Sequence, residues 1–325
     1  MKPRVSVVVP SYERPAMLNR CLTALAAQEL PGTNFEVIVV HDGPSETARK
    51  LVSQWAKKLA VRGGPRVRYH SPAHAGPAAA RNAGWRLAAA DIVAFTDDDT
   101  VPDPKWLVAA LAAMKPDIDA AWGRIVVPLP KNPTDYEIDA ARLSVSQFVT
   151  ANCFCRKGVL ERLGGFDERF EQAWREDSDL YFRLIDGGAR VAHVCDAIVV
   201  HPVRPAAWGV SLKQQRKVLY DALLFKKHRA LYRERIRGGP RWDYYLIVAA
   251  LAATAAAAAA GAASVAAGAS GLWLVLTGRF CAERLRPATK KLSHVTEIIV
   301  TSILIPPIAV FWRLVGALRY RVVFL

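Results

Sequence analysis

Three consecutive carboxylates, Asp97, Asp98 and Asp99, stand directly after the apolar run Ile92 to Phe95. Adjacent carboxylates at a strand end repel one another and are costly unless a cation shares them. Hard oxygen ligands of this kind suit Mg²⁺ or Mn²⁺, with room left for phosphate oxygens. His201 closes a second apolar run. Beside the acidic cluster its imidazole would be a further ligand and would tilt the preference toward Mn²⁺. Glu176 and Asp177 open an amphipathic segment, where the helix dipole favours carboxylates and one of them is suited to take a proton from an attacking hydroxyl. Trp174 beside them offers an apolar face of the kind a sugar-like ligand stacks on. Gly76 precedes a helical run containing Arg81 and Asn82. Either Arg81 or the N–H groups of that helix start would face a diphosphate. The plainer readings of the same residues are a solvated acidic turn, a loop histidine and ordinary helix starts.

These residues need a scaffold that brings distant loops together. Four β-like runs, Val5–Val9, Phe35–Val40, Val67–Tyr69 and Ile92–Phe95, alternate with helix-like segments Pro15–Gln28, Ser45–Leu59, Pro77–Ala89 and Pro104–Met114. Nearly continuous apolar strands separated by helices predict a parallel sheet covered on both faces. Ligands bind such sheets outside the carboxyl ends of the strands. The segments found there are Pro10 to Arg14, His41-Asp42-Gly43, His70 to Gly76 and Thr96 to Asp99. All four are polar or acidic, which points to a nucleotide pocket. Further on, Lys157–Leu163 and Trp174–Leu184 read as helices and Ala197–Val200 as a last strand.

The composition changes once, near Tyr244, where apolar residues begin to dominate. The net charge of +15 would suit nucleic acid, but its placement argues otherwise. Ten Lys/Arg lie between Lys213 and Arg241, against Asp221 and Glu234, immediately before the apolar tail. A basic block beside an apolar anchor predicts attraction to anionic membrane lipids, and no nucleic-acid-binding module accompanies it. Leu246 to Leu276 carries no charged residue. As one helix it would be about 46 Å long against ~30 Å of hydrocarbon, which predicts a single tilted helix rather than two spans. Val295–Trp312, with Glu297 and Pro306-Pro307, predicts a kinked span or a re-entrant segment. Two full spans would place the basic loop from Arg279 to Lys291 on the far side, against the positive-inside tendency. The expectation is therefore two membrane helices, at least one not crossing fully. The five cysteines lack paired spacing and read as buried, reduced thiols. The short apolar run after Met1 is no signal-peptide core, so the catalytic part is expected in the cytoplasm.

Six strings occur in order between residues 4 and 205: Val-Ser-Val-Val-Val-Pro-Ser-Tyr-Glu-Arg-Pro, His-Asp-Gly, Gly-Pro-Ala-Ala-Ala-Arg-Asn-Ala-Gly, Phe-Thr-Asp-Asp-Asp, Gly-Gly-Phe-Asp-Glu and Arg-Glu-Asp-Ser-Asp-Leu. Together they resemble the family-2 glycosyltransferases of the GT-A fold. The resemblance implies that Pro10, Tyr12 and Glu13 line the base and ribose of a nucleotide-sugar, with Asp42 reading the base. It further implies Asp97 and Asp98 near the ribose and diphosphate, Asp99 and His201 on the metal, and Asp177 as general base. Many members carry Gly before the Glu-Asp pair, where this chain has Arg175, so acceptor contacts at that point are expected to differ.

The expected architecture is an α/β GT-A catalytic domain over residues 1–209, a basic juxtamembrane segment over 210–243 and membrane-associated helices over 244–325. The expected activity is metal-dependent, inverting transfer from a nucleotide-sugar, UDP-linked for preference, to a lipid-linked or cell-surface glycan acceptor. A nucleotidyltransferase would carry a Gly-rich, Lys-containing loop after the first strand, which Pro10–Arg14 lacks. A silent, membrane-tethered nucleotide-binding module would be favoured by loss of Asp99 or Asp177, and both are present.

Overall fold

The computed structural model describes residues 2–324. The chain forms two compact units, Met1–Pro128 with Arg142–Val203, and Leu129–Ala141 with Arg204–Leu325.

The first unit is built on an eight-stranded sheet. Its strands are β1 (Val5–Ser11), β2 (Phe35–His41), β3 (Arg66–His70), β4 (Ile92–Phe95), β5 (Val101–Pro102), β6 (Ala120–Val126), β7 (Cys153–Arg156) and β8 (Val191–Val200), in the order β3-β2-β1-β4-β7-β6-β8-β5. The first four strands are parallel, as their apolar runs require. Every residue of β1 and β2 is buried, Pro10 included. The β4–β7, β6–β7 and β5–β8 pairs are antiparallel and β6–β8 is parallel, so the sheet is mixed. Helices Pro15–Ala26, Glu46–Val61, Pro77–Leu87 and Glu176–Asp186 follow the expected segments within a few residues. The fourth early helix starts at Trp106 rather than Pro104. The last strand begins at Val191, six residues before the apolar run the sequence marked.

Two details aim the strand ends. Ser11 pairs with His41 across the parallel ladder, while β4 stops at Phe95 opposite Val8. The three aspartates therefore turn back beside the loop that leaves β1. On the other flank the β6–β8 ladder shifts register at Gly123/Arg124. Asn152 holds that irregularity: its amide donates to the carbonyls of Arg124 and Ala197, and its oxygen accepts from the Trp106 indole at 2.8 Å. Beyond the bulge Val200 pairs with both Val126 and Val101, which sets His201 beside Asp99.

In the second unit three helices are long and apolar enough to cross a membrane: Trp242–Ala259, Ala263–Leu285 and Leu292–Tyr320. The single helix expected over Leu246–Leu276 is thus a hairpin of two, broken at Ala260-Gly261-Ala262, where Gly261 takes a left-handed φ of +70°. Alanine supports helix but gives no signal of where one ends, so an uninterrupted run hid the turn. The expected second segment is a longer helix that keeps Pro306 and Pro307 in its interior. Its first turns are pinned by a polar network in which Arg284 pairs with Asp135, and His294 lies 3.3 Å from Asp135 and 3.2 Å from Glu297. Near its far end Gly316 admits the Leu219 backbone, whose carbonyl would lie 2.7 Å from any added Cβ. Of the five free cysteines, Cys21, Cys153 and Cys155 are buried as expected, but Cys195 is exposed and Cys281 half-buried.

Asn152→Ala leaves two carbonyls and an indole N–H without partners in the core. Each group stranded in this way costs about 1–3 kcal/mol. The expected outcome is a lowered unfolding midpoint, read by near-ultraviolet circular dichroism of the full chain in detergent. Asn152→Asp keeps only the indole bond and should fall short of wild type as well.

Candidate active site

Asp97, Asp99 and His201 each offer one ligand atom, and these atoms lie within 4.8 Å of one another. His201 Nε2 stands 3.6 Å from Asp99 Oδ1, beyond hydrogen-bonding distance. Two carboxylates and an imidazole held at that spacing fit a divalent cation. Asp97 joins the trio, although the sequence reading gave it to the ribose and diphosphate. Asp98, expected there too, is fully enclosed and faces inward, with Arg14 2.9 Å from Oδ1 and the Tyr12 N–H 3.4 Å from Oδ2. Burial pushes its carboxyl up to about 6, and Arg14 opposes that rise. Arg14 also lies 3.6 Å from Asp99. It was missed because a basic residue two places after a tyrosine carries no signal until the strands are laid side by side.

Arg81 is 2% exposed and held at both ends. Nη1 donates to Glu176 at 2.9 Å and Nη2 to Asp97 at 2.8 Å. Both ends of the fork the sequence reading aimed at a diphosphate are bonded here to carboxylates, buried Glu176 and half-buried Asp97. Arg81 ties the metal-ligand side to the carboxylate pair at the helix start. Its neighbour Asn82 accepts from the Phe166 N–H and the Trp85 indole and donates to the Phe166 carbonyl and Glu168. Asn82 thereby fixes the Gly-Gly-Phe-Asp-Glu turn against the same helix.

Asp177 accepts from the Ser178 N–H at 2.6 Å and the Ser178 hydroxyl at 3.2 Å, both on Oδ1. Oδ2 keeps no hydrogen-bond partner among the described residues. Burial raises the Asp177 carboxyl, while Ser178, Arg175 and Arg81 hold it down. Burial also raises Glu176, against the pull of Arg81. Arg175 precedes the pair in a left-handed conformation, φ +75°, with its guanidinium 4.6 Å from the Trp174 ring centre. A left-handed residue is the physical reason for glycine at such a position, and here an arginine bears the strain.

The loop residues after β1 to β3 form a second cluster. Tyr12 is exposed, its ring centred 5.1 Å from that of His74 and 6.1 Å from that of His41. Glu13 is exposed and left-handed at φ +50°, its N–H donating to His41 Nε2. Pro10 is buried within β1, where it shapes the strand end. Asp42 is bound by the N–H groups of Ala75 and Gly76 and by His74 at 2.9 Å, so its first task is holding that loop. Gly76 has φ +92°, and a Cβ there would lie 2.5 Å from the Glu171 carbonyl oxygen, so no other residue fits. His74 was not singled out from sequence, where it is one histidine in a loop rich in Gly, Pro and Ala.

Residues 6–166 match Glycosyl transferase family 2, and residues 92–315 match Glycosyl transferase family group 2. The chain is 27% identical over 254 residues to validoxylamine A glucosyltransferase of Streptomyces hygroscopicus subsp. limoneus, covering 66% of this chain and 52% of that protein. It thus spans about half that relative's length. Among solved structures it resembles mannosyltransferase PcManGT from Pyrobaculum calidifontis in complex with GDP-Man and Mn²⁺, at TM-score 0.60 and 22% identity over 96% of this chain and 88% of that one. S. aureus TarS 1-349 in complex with UDP follows at TM-score 0.52 and 16% identity, covering 96% and 91%. These likenesses establish the GT-A fold.

Arg175→Gly removes left-handed strain of about 1–2 kcal/mol. It also loses a ring contact worth about 0.5–1 kcal/mol and loosens the unfolded chain by a similar amount. The net stability change should stay under about 1 kcal/mol in thermal unfolding. The base side should respond more clearly. As the expected base, Asp177 would have to be ionised to accept a proton, and activity would then be lost as pH falls through its raised pKa. Removing the Arg175 charge raises that pKa further, and the acid limb of kcat/KM should move to higher pH than in wild type. An unmoved limb would detach Arg175 from the base.

Proposed function

The chain belongs to the family-2 glycosyltransferases, and from that premise we propose that it moves a sugar, UDP-linked for preference, from a nucleotide-sugar to a lipid-linked or cell-surface glycan acceptor. The reaction proposed is inverting and metal-dependent, at the cytoplasmic face of the inner membrane. The observation that carries it is the pairing of two sites: a three-ligand cation cluster and, across the Arg81 bridge, a raised carboxylate with one free oxygen.

Asp97, Asp99 and His201 would hold Mn²⁺ or Mg²⁺, which when bound neutralises charge building on the diphosphate. Tyr12, Glu13 and the loop anchored by Asp42 line the nucleoside end, with the Tyr12 ring free to stack on a base. Arg81 fixes Asp97 and Glu176 at their separations, and its charge keeps the crowded carboxylates from repelling one another. Asp177 Oδ2 takes the acceptor hydroxyl proton as that oxygen bonds to the anomeric carbon. The bond from that carbon to the diphosphate oxygen breaks, the nucleoside diphosphate leaves, and the centre inverts. Trp174 and Glu176 stand on the acceptor side.

The membrane reading rests on the helical unit. Trp242–Ala259 and Ala263–Leu285, about 27 and 35 Å long, form an apolar hairpin whose side chains are mostly exposed. Leu292–Tyr320 is half enclosed, and its middle residues Ile305, Ala309 and Val310 pack with Tyr244 at the hairpin's start and Phe280 near its close. Glu297 near its beginning accepts from the Gly209 N–H, and Gly316 near its end meets Leu219. Both ends therefore touch elements that precede the hairpin. The hairpin inserts, and the third helix lies across its base in the interface. The basic residues from Arg284 to Lys291 then stay on the entry side, as positive charge prefers.

Two outcomes check this reading. Asp177→Asn should keep nucleotide-sugar affinity while turnover falls by roughly 10²–10⁴, whereas Asp99→Ala should lose both. Calorimetric titration of UDP and GDP with Mn²⁺, set beside initial rates on UDP- and GDP-sugars, separates them. Near wild-type turnover in Asp177→Asn would pass the base role to Glu176 or Asp179. For the membrane, high salt should leave the protein in the pellet and detergent should release it, since burial of apolar helix is not screened by ions.

A further inference from the structure

The second unit holds a cluster of cations that no carboxylate among the described residues pairs with. Phe225, Tyr232 and Phe324 form one aromatic group, with ring centres 5.2–5.6 Å apart. Three guanidiniums lie over it: Arg313 4.6 Å from the Phe324 centre, and Arg233 and Arg229 at 4.8 and 5.3 Å from that of Phe225. Arg313 is 3% exposed, and its Nη1 is buried with no hydrogen-bond partner. No carboxylate among the described residues pairs with Arg229, Arg233, Arg237 or Arg313. The nearby acids Glu234 and Asp243 are taken by Arg235 and Arg241. Arg237 has its pKa lowered first by loss of water around part of the side chain and then by the like charges of Arg241 and Arg313.

A buried arginine without a counter-charge is costly by several kcal/mol, and in an apolar helix it marks a functional site. Ring faces offset part of that cost, at about 0.5–2 kcal/mol for each cation. They leave the guanidinium edges free to donate. Planar forks grading from buried Arg313 to exposed Arg237 match the oxygens of a phosphate, which they hold in paired, charge-assisted bonds. On the membrane reading above, Arg313 belongs to the helix lying across the hairpin base, at headgroup depth.

We propose that Arg313 and Arg233, on the Phe225–Tyr232–Phe324 platform, with Arg237 in electrostatic reach of Arg313, form a binding site for the phosphate of an amphiphile. The source is either a bilayer phospholipid or a lipid-linked acceptor. This rests on the membrane reading, not on the assignment of the catalytic residues.

The test uses the full chain in neutral detergent micelles, with thermal unfolding as readout. Dioleoyl phosphatidic acid is set against dioleoylglycerol, and farnesyl phosphate against farnesol, so that each pair differs only in the phosphate. The phosphate-bearing member should stabilise wild type saturably and its partner should not. Arg313→Gln should weaken the half-saturation at least tenfold. Arg233→Gln/Arg237→Gln, altered where the chain is more open, keeps the question answerable if Arg313→Gln misfolds. Retained binding of nucleoside diphosphate with Mn²⁺ shows that a variant is folded. Saturation by phosphatidic acid at the lower concentration assigns the site to bilayer lipid, and by farnesyl phosphate to an isoprenoid-linked acceptor. Equal stabilisation of wild type and both variants, or equal effects of phosphate and alcohol, overturns the site. Salt extraction is scored separately, so failure of the membrane reading is distinguishable from failure of the phosphate site.

Discussion

The candidate site is organised by a guanidinium bridging two carboxylates inside the protein. Arg81, itself 95 residues from Glu176, joins Asp97 to Glu176 from a helix whose start is fixed by Gly76. Taking such charges out of water costs several kcal/mol for each ion, recovered only when the geometry satisfies them. Removing one partner from a bridge of this kind typically costs 3–5 kcal/mol. The surrounding devices serve that geometry. Asn82, next in sequence, pins the turn before the Glu176–Asp186 helix, and the strained Arg175 sets where that helix begins. An ion pair placed this deep holds its carboxylates at fixed positions, which a catalytic pair needs more than it needs stability.

How much of this was legible depended on whether a signal was local. Strand ends β1 to β4 could be read because apolar runs and the turn residues after them are adjacent in sequence. The acidic cluster and Glu176-Asp177 were legible as types, and His201 as the end of a strand. Partnership was not legible. Nothing in the string distinguishes an Arg81 that faces a ligand from one locked between Asp97 and Glu176. Asp97 and Asp98 differ in role only because alternate residues of a turn point to opposite sides. Asn152 and His74 carry no pattern at all, since each acts on backbone groups brought near by the sheet.

The helical unit shows the same divide. Composition located the apolar tail and its basic flank, but helix-favouring alanine concealed the break at Gly261. With the break in place, the proposed insertion of the hairpin would return the chain to the side it came from and remove the objection to the basic loop. The segment Leu129–Ala141, distant in sequence, joins this unit through Asp135, which pairs with Arg284 and His294. Sequence order gave no hint of that pairing, and a boundary drawn along the chain alone could not include it.

Charge placement links the two ends of the argument. In the catalytic unit buried Arg81 takes two carboxylates, and half-buried Arg183 bonds Asp179 at 2.9 Å and two backbone carbonyls. Arg14, beside Asp98 and Asp99, follows the same rule. In the helical unit Arg284 obeys it through Asp135, Thr301 and Ser302. Arg313, more deeply buried than Arg284, has an aromatic face and no counter-charge among the described residues. Arg81, the other buried guanidinium, also leaves its Nε without a partner, but it carries two carboxylates where Arg313 carries none among the described residues. The proposed phosphate would supply that charge from outside the chain. At the base of an apolar hairpin, an abundant anion with oxygens to accept from a guanidinium fork is a lipid phosphate.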